Sequence, residues 1–422
     1  MSGTITFPPN PTDGQLYTSG GVTWQWHANP GVWVNANTGT NFLALSGGTM
    51  TGAITLPGNA ASALQAVPLQ QVVPIAGGTM TGALTLSGNA ATALQATPLQ
   101  QVNAVVAPAF NDVGRNVIHN GLFNVAQRGA GAFGTSGAYT LDRWVLAFNS
   151  DTGVGVQQIA LLDSARTQIG DEAAAYCLQL ATTGNAAASA FTQIYQPIEG
   201  VRRLAGKTIT VSFWATSGTG LKLGINGYSN YGTGGSPSAA ASWASPGSSV
   251  TLTTTWARYS LTFTVPTASG KTLGTNNNDS NILQIFLSSG ATNNAAAGNI
   301  GVQSGVVQIW GVQLEVGSVM TALDYGGSPQ QQLAQCQRFY RFGVLFGQGY
   351  GGVASAAAAV VDSYPVPMRA TPTVVASSVS NTNISGAAVG ASGSLGMVYA
   401  NGSTAAAGNW TFSINYTASA DL

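Results

Sequence analysis

Residues able to do covalent chemistry are few and scattered. The 422-residue chain has two histidines, His27 and His119, and two cysteines, Cys177 and Cys336. Nucleophilic hydrolysis needs a base poised beside a nucleophile and oriented by a third group. His119 sits in Asn116-Val117-Ile118-His119-Asn120-Gly121, where a polar strand position is the simpler account. Glycoside hydrolysis needs two carboxyl groups across a cleft. The acids include Asp163, Asp171, Glu172, Glu199, Asp279 and Glu315, and no spacing singles out a pair. No Cys/His cluster has metal-ligand spacing and the acids are dispersed, so no metal is expected. Gly129, Gly131 and Gly134 spell G-x-G-x-x-G, a phosphate cradle only when a helix follows. Thr135-Ser136-Gly137-Ala138-Tyr139 has no helical periodicity, so a glycine-rich loop without cofactor is expected. These absences together predict a protein that is not an enzyme.

Recognition without charge has better material. Aromatic rings stack on the C–H faces of sugars while amides and hydroxyls bond sugar hydroxyls. Trp214 falls on the opposite face of its strand from Ile209, Val211 and Phe213. Asn226-Gly227-Tyr228-Ser229-Asn230-Tyr231-Gly232 resembles a loop offering two tyrosines among amides, and Trp243 follows in a Ser/Ala/Pro-rich stretch. Tyr350, Tyr364, Tyr399 and Trp410 are further candidates near the C-terminal end. For each, the competing account is burial under a loop or at a subunit interface. Arg338 and Arg341 frame Phe339-Tyr340; pairing with carboxylates at a domain or chain junction is preferred over anion binding.

Composition narrows the partners. Asp, Glu, Lys and Arg make up 6% of the chain, against roughly 25% in ordinary soluble domains. Thirteen basic residues against thirteen acidic ones leave no surplus for nucleic-acid phosphates. Hydrophobic residues at 45% argue against disorder. No apolar run approaches the ~18 residues of a membrane helix, so no membrane insertion is expected. The first residues lack the charged and apolar regions of a secretory signal, which predicts synthesis in the cytoplasm.

The elements that position these residues fall into four regions. Residues 1–45 form a β-meander: strands at Gly14-Gln15-Leu16-Tyr17-Thr18 and Val22-Thr23-Trp24-Gln25-Trp26 flank a Ser-Gly-Gly turn, and Val32-Trp33-Val34 follows. So small a unit buries little by itself. Trp24, Trp26 and Trp33 are therefore expected to dock on a partner, with a private mini-core as the alternative. Residues 46–111 hold two 30-residue repeats; 47–72 and 77–102 are identical at 22 of 26 positions and carry no charge. Two repeats are too few for a self-sufficient solenoid. Identical chains are expected to supply the missing burial, stacking Met50, Leu56, Leu64, Met80, Leu86 and Leu94 on their symmetry mates as a short neck. Residues 112–343 hold twenty-two of the twenty-six charges. Period-2 sets at 209–213, 259–265, 283–287 and 310–314 predict an antiparallel jelly-roll sandwich. A short helix capped by Ser328 with Pro329 at its first position closes it. Residues 344–422 are expected to form a small terminal β-domain. The fold class is mainly β.

Several motifs resemble a known family. Gly47-Gly48-Thr49-Met50-Thr51-Gly52-Ala53-Ile54-Thr55-Leu56 and its copy from Gly77 to Leu86 resemble the tail-fibre repeats of tailed bacteriophages. Asn116 to Phe123, Gln127-Arg128-Gly129 and Tyr139 to Trp144 resemble the opening of phage fibre modules related to carbohydrate-binding jelly rolls, and Val312 to Gly317 with Leu333 to Tyr340 resemble their close. Pro365 to Pro372 resembles the start of distal tip domains of such fibres. The resemblance implies a homotrimeric fibre on the virion, attached by its N-terminus to tail, baseplate or collar proteins. Its C-terminal half would meet host surface polysaccharide as a multivalent adhesin. A collar or head decoration fibre and a capsule depolymerase are the alternatives.

Overall fold

A computed structural model describes residues 4–36 and 115–422, which belong to two compact units, Met1–Gly88 and Asn89–Leu422. The expected trimer-interface positions Met50, Leu56, Leu64, Met80, Leu86 and Leu94 lie outside the described residues.

In the first unit, β1 (Leu16–Ser19), β2 (Val22–His27) and β3 (Val32–Asn35) form the antiparallel meander. Tyr17 pairs with Trp24 and Trp26 with Trp33, which puts all four rings on one face. Phe7 lies over that face, stacked on Trp33 at 5.1 Å and edge-on to Trp24 at 5.5 Å. Trp24, Trp26 and Trp33 thus take part of their burial from one another and from Phe7, and all three stay half-buried.

The second unit begins with the sandwich. Its elements are β4 (Gly131–Phe133), β5 (Ala138–Tyr139), β6 (Val145–Asn149), β7 (Thr152–Ala160), α1 (Asp163–Ile169), β8 (Tyr176–Thr183), β9 (Phe191–Glu199) and β10 (Thr208–Ser217). They continue with β11 (Lys222–Asn230), β12 (Ala241–Ser242), β13 (Ser248–Thr251), β14 (Ala257–Thr264), β15 (Ser280–Ser289) and β16 (Gly305–Val316). One sheet runs β14-β10-β16-β8-β7-β4; the other runs β12-β11-β15-β9-β6-β5, with β13 also on β11. Every pairing is antiparallel, and the chain crosses repeatedly between sheets, as in a jelly roll. The expected period-2 sets supply the core: Ile209, Val211 and Phe213 from one sheet join Leu283, Ile285 and Leu287 from the other. Between Ser212 and Trp214 the register against β16 shifts, and Trp214 pairs with Trp310 on the outer face. There α1 and the segment carrying Leu323 cover a second apolar cluster.

Helix α2 (Pro329–Gln337) closes the sandwich with the expected cap. The Ser328 hydroxyl accepts from the Gln331 amide, and the Gln331 side chain accepts from the Ser328 amide. The tip follows as β17 (Tyr340–Gly351), β18 (Ala357–Ser363), β19 (Thr373–Thr382), β20 (Ile384–Ala391), β21 (Met397–Thr404) and β22 (Gly408–Ser419). Sheets β17-β22-β19 and β18-β21-β20 close on Leu345, Met368, Val398, Phe412, Ile414 and Tyr416. The boundary expected at 343/344 falls inside β17.

Sandwich and tip are riveted together by arginines. Asp421 accepts from Arg128 at 2.5 Å and from the fully buried Arg143 at 3.2 Å. Arg143 also donates to the Pro197 carbonyl at 2.7 Å and lies 3.5 Å over the Phe339 ring; Arg128 lies 3.4 Å over Tyr340. Arg338 holds Glu199 through both carboxylate oxygens, whereas Arg341 holds Asp362 within the tip; both pair with carboxylates, but the Arg341 pair does not cross the expected junction. His119 lies in a turn, not the expected strand, against Phe339 at 5.7 Å. Burial, then Arg143, Arg203 and Arg338, pull its pKa down to about 3, which keeps it neutral at pH 7. Both cysteines are free and buried, and burial pushes their thiols up.

Candidate functional site

The outward face of the seven-stranded sheet collects aromatic and amide side chains without charge. Strand register defines it, because directly opposed residues share a face. One row runs Asn226, Gln284, Tyr195, Val145, Tyr139 across β11, β15, β9, β6 and β5. The row on one side is Gly224, Phe286, Gln193, Ala147, and on the other Tyr228, Ile282, Pro197. No Asp, Glu, Lys or Arg occurs in these three rows.

Both ends of the face are walled. On one side the segment carrying Ala297 and Ile300 packs on Phe286, and Asn226 donates to the carbonyls of Ala244 and Ala296, each at 3.1 Å. On the other side stand Arg143, Asp421 and the Arg338–Glu199 pair; the Tyr139 hydroxyl donates to the Leu422 carbonyl at 3.0 Å. Between the walls Tyr195, Tyr228 and Gln284 remain half-exposed, and Gln284 donates to Gln193 at 2.9 Å. Burial raises the pKa of Tyr195, and burial with Tyr195 nearby raises that of Tyr228. Burial, offset in part by Arg143, puts Tyr139 at about 12. The three phenols therefore keep their protons at neutral pH and can both donate and accept. Half-buried rings tipped by hydroxyls, beside primary amides, suit a ligand that is neutral and rich in hydroxyl groups.

The expected aromatic set is divided by the structure. Residues expected as a loop from Asn226 belong to β11 through Asn230. The glycines there mark close approach, not flexibility: a Cβ at Gly227 would lie 2.3 Å from Trp243, and one at Gly224 would lie 2.0 Å from the Ala297 carbonyl oxygen. Tyr228 faces outward as part of the site. Tyr231, 1% exposed, is packed with Val201 and Ala268, and Trp243, 6% exposed, fills the sandwich core near Phe263. The expectation that Tyr231 and Trp243 offer faces to a ligand is corrected accordingly. Trp214 lies on the outer face of the other sheet, as expected, half-covered beside Trp310 and Leu323. In the tip, Tyr350 is exposed on β17, whereas Tyr399 is half-buried over Gly390 and Trp410 packs inside over Gly349.

Tyr139, Tyr195, Gln193 and Gln284 escape notice in the sequence. Gln284 was within reach, since it alternates with Leu283, Ile285 and Leu287. Tyr195 was not: Gln193, Ile194, Tyr195 and Gln196 place polar residues on both faces of β9, which blurs the alternation.

Five of the six acids named from the sequence are each held by a different partner. Glu315 is held by Arg115 at 3.1 Å and by Thr321, Glu199 by Arg338, and Asp163 by Arg166 at 2.7 Å. Asp279 accepts from the Val201 amide, and Asp171 from the Ala173 amide and the Tyr325 hydroxyl. Among the described residues no group of three or more His, Cys, Asp or Glu is placed to hold a metal ion, and no helix is long and apolar enough to cross a membrane.

No family model matches the chain and no curated protein matches it in sequence. Solved structures do share its shape in part. The enzymatically active domain of bacteriophage CBA120 tailspike protein 4 is 15% identical over 48% of this chain and 21% of its own, with a TM-score of 0.28. This chain thus spans about a fifth of that domain. The family 11 carbohydrate-binding module of a Clostridium thermocellum cellulosomal cellulase is 10% identical over 46% of this chain and 99% of its own, at 0.26. The CBM22-1 xylan-binding domain from Paenibacillus barcinonensis is 9% identical over 49% and 98%, also at 0.26. At these values nothing about this chain's own ligand or partners follows from the likeness.

Proposed function

We propose that this chain is a glycan-binding virion fibre protein. The observation that carries the binding is the charge-free face on which Tyr195, Tyr228 and Gln284 stay half-exposed between two walls. A host surface polysaccharide lies across the strands, its hydroxyls bonded by phenols and amides and its apolar faces against the tyrosine rings. The fibre assignment is supported by the two Gly-Gly-Thr-Met-Thr-Gly repeats and the motifs that open and close the sandwich. In this reading the chain is a homotrimer made in the host cytoplasm, docked on the particle through the meander. Weak single contacts suffice, because several sites on one particle raise avidity by about 10²–10⁴.

The protein acts by binding and not by cleavage. Incubating it with purified host polysaccharide checks both halves: retention on the polysaccharide without release of oligosaccharide is expected. Released oligosaccharide would overturn the pure-binding reading in favour of a depolymerase. Failure of added protein to compete with infection would favour a decoration fibre.

A further inference from the structure

Strand β17 is built inside out. From Phe342 onward its core-facing positions are mostly glycine, namely Gly343, Gly347, Gly349 and Gly351, with Leu345 the one large residue among them. Neighbours already fill that space: a Cβ at 343 would lie 2.5 Å from Tyr416, one at 347 would lie 2.2 Å from Val360, and one at 349 would lie 2.5 Å from Trp410. The bulk points outward instead. Phe342 is 49% exposed, Val344 47%, Phe346 67% and Tyr350 71%, with the Gln348 amide exposed between the last two. Phe342 and Val375 both oppose Thr417, so exposed Val375 shares the face from the far side of the sheet. Between them β22 contributes Thr411, Ser413, Asn415 and Thr417.

We infer that this face of the tip is a contact between copies of this chain, separate from the repeats and from the glycan face. Phenylalanine and valine offer no hydrogen bond to a sugar, and the unbroken exposed row Phe342, Val344, Phe346 along one strand marks a protein contact. No charged side chain stands among the outward residues of β17 and β22, so an oppositely charged partner gains nothing here. A neutral patch is compatible with itself, which a symmetric interface requires. Its size is also sufficient. A 12-residue strand in a three-stranded sheet spans roughly 40 Å by 14 Å. Solvent-accessible area exceeds that plan area of about 560 Å², bringing it near the ~800 Å² per partner of a stable interface. β17 is also an edge strand, and from Phe342 to Gly351 it has neither proline nor charge, the usual guards against self-association.

The test is thiol protection in the purified full-length protein, where dilution separates cover by further copies of the chain from cover by the chain itself. Val344→Cys would be labelled with a thiol reagent beside Val361→Cys, which lies on the outward side of the other tip sheet and is 59% exposed. The two native thiols are buried. Labelling at 344 is expected to be at least about tenfold slower than at 361 and to speed up on dilution. Adding Phe346→Ser should abolish the protection while leaving polysaccharide binding by each chain unchanged. Equal rates at 344 and 361 would overturn the contact without touching the glycan reading, as would protection that survives both dilution and Phe346→Ser.

Discussion

The outward faces of the seven-stranded sheet and of β17 both present aromatic rings, in opposite company. In the three rows of the sandwich face every half-exposed ring carries a hydroxyl, primary amides stand beside them, and packed segments wall the face at both ends. On the tip two of the three rings are phenylalanines, Val344 stands between them and Gln348 beside Tyr350, and the sheet edge is open. The first arrangement leaves hydrogen-bonding groups to be matched by a polar ligand. The second sets an exposed row of Phe342, Val344 and Phe346 along the sheet edge, area to be removed from water. Aromatic content alone does not tell a glycan site from a protein contact; what accompanies the rings does.

Several perturbations would break or sharpen that contrast. The largest acts on the junction that carries both faces on one body. Asp421→Ala strips Arg128 and Arg143 of their shared carboxylate, and breaking a buried pair in this way costs about 3–5 kcal/mol. Calorimetry should show a lower melting temperature, with sandwich and tip melting separately; a single unshifted transition would dissolve the view that they are joined through Asp421. The pH response comes next. Because folding depresses the pKa of His119 from 6.5 to about 3, the folded state binds fewer protons than the unfolded state between those values. Its contribution is full above pH 6.5 and is lost as pH falls toward 3, an effect of a few kcal/mol. Denaturant titrations of His119→Gln should show a flatter pH dependence over that window than the parent.

Two neighbouring substitutions then separate the sides of β17. Gly349→Val drives a branched side chain into Trp410 and should cost about 1–3 kcal/mol. Tyr350→Ser on the outward side should stay within about 0.5 kcal/mol in the dissociated chain. Equal effects would show that the strand is not inverted. The smallest change is Tyr228→Phe, which removes one hydroxyl from the glycan face. It should weaken polysaccharide binding several-fold, by about 1 kcal/mol, with no change in melting temperature.

The architecture was largely legible in the sequence because alternation is a local signal. Ile209, Val211 and Phe213 announced β10, and Ser328-Pro329 announced α2 with its cap. The site was legible only where one strand sufficed. Tyr228 is legible, but its glycines have the look of a loop, since sequence does not distinguish a glycine that permits a turn from one that makes room for Trp243. Tyr231 and Trp243 were misplaced for the same reason: amide- and serine-rich surroundings look exposed until the packing is known. Tyr195 and Tyr139 join Tyr228 only through the pairing of β5, β6, β9, β15 and β11, which spans residues 138 to 289 and leaves no local trace. The inversion of β17 was visible in principle, as glycine alternating with Phe, Val and Tyr, but which side met the core was not.

Glycan binding by the charge-free face of the seven-stranded sheet depends on the rings of Tyr195 and Tyr228. Calorimetric titration of purified host polysaccharide into the parent protein and into Tyr195→Ala/Tyr228→Ala tests it most directly. Loss of two ring contacts, at about 1 kcal/mol or more each, should lower the affinity by about 10- to 100-fold at an unchanged melting temperature. Parent-level affinity in a folded double variant would contradict the claim.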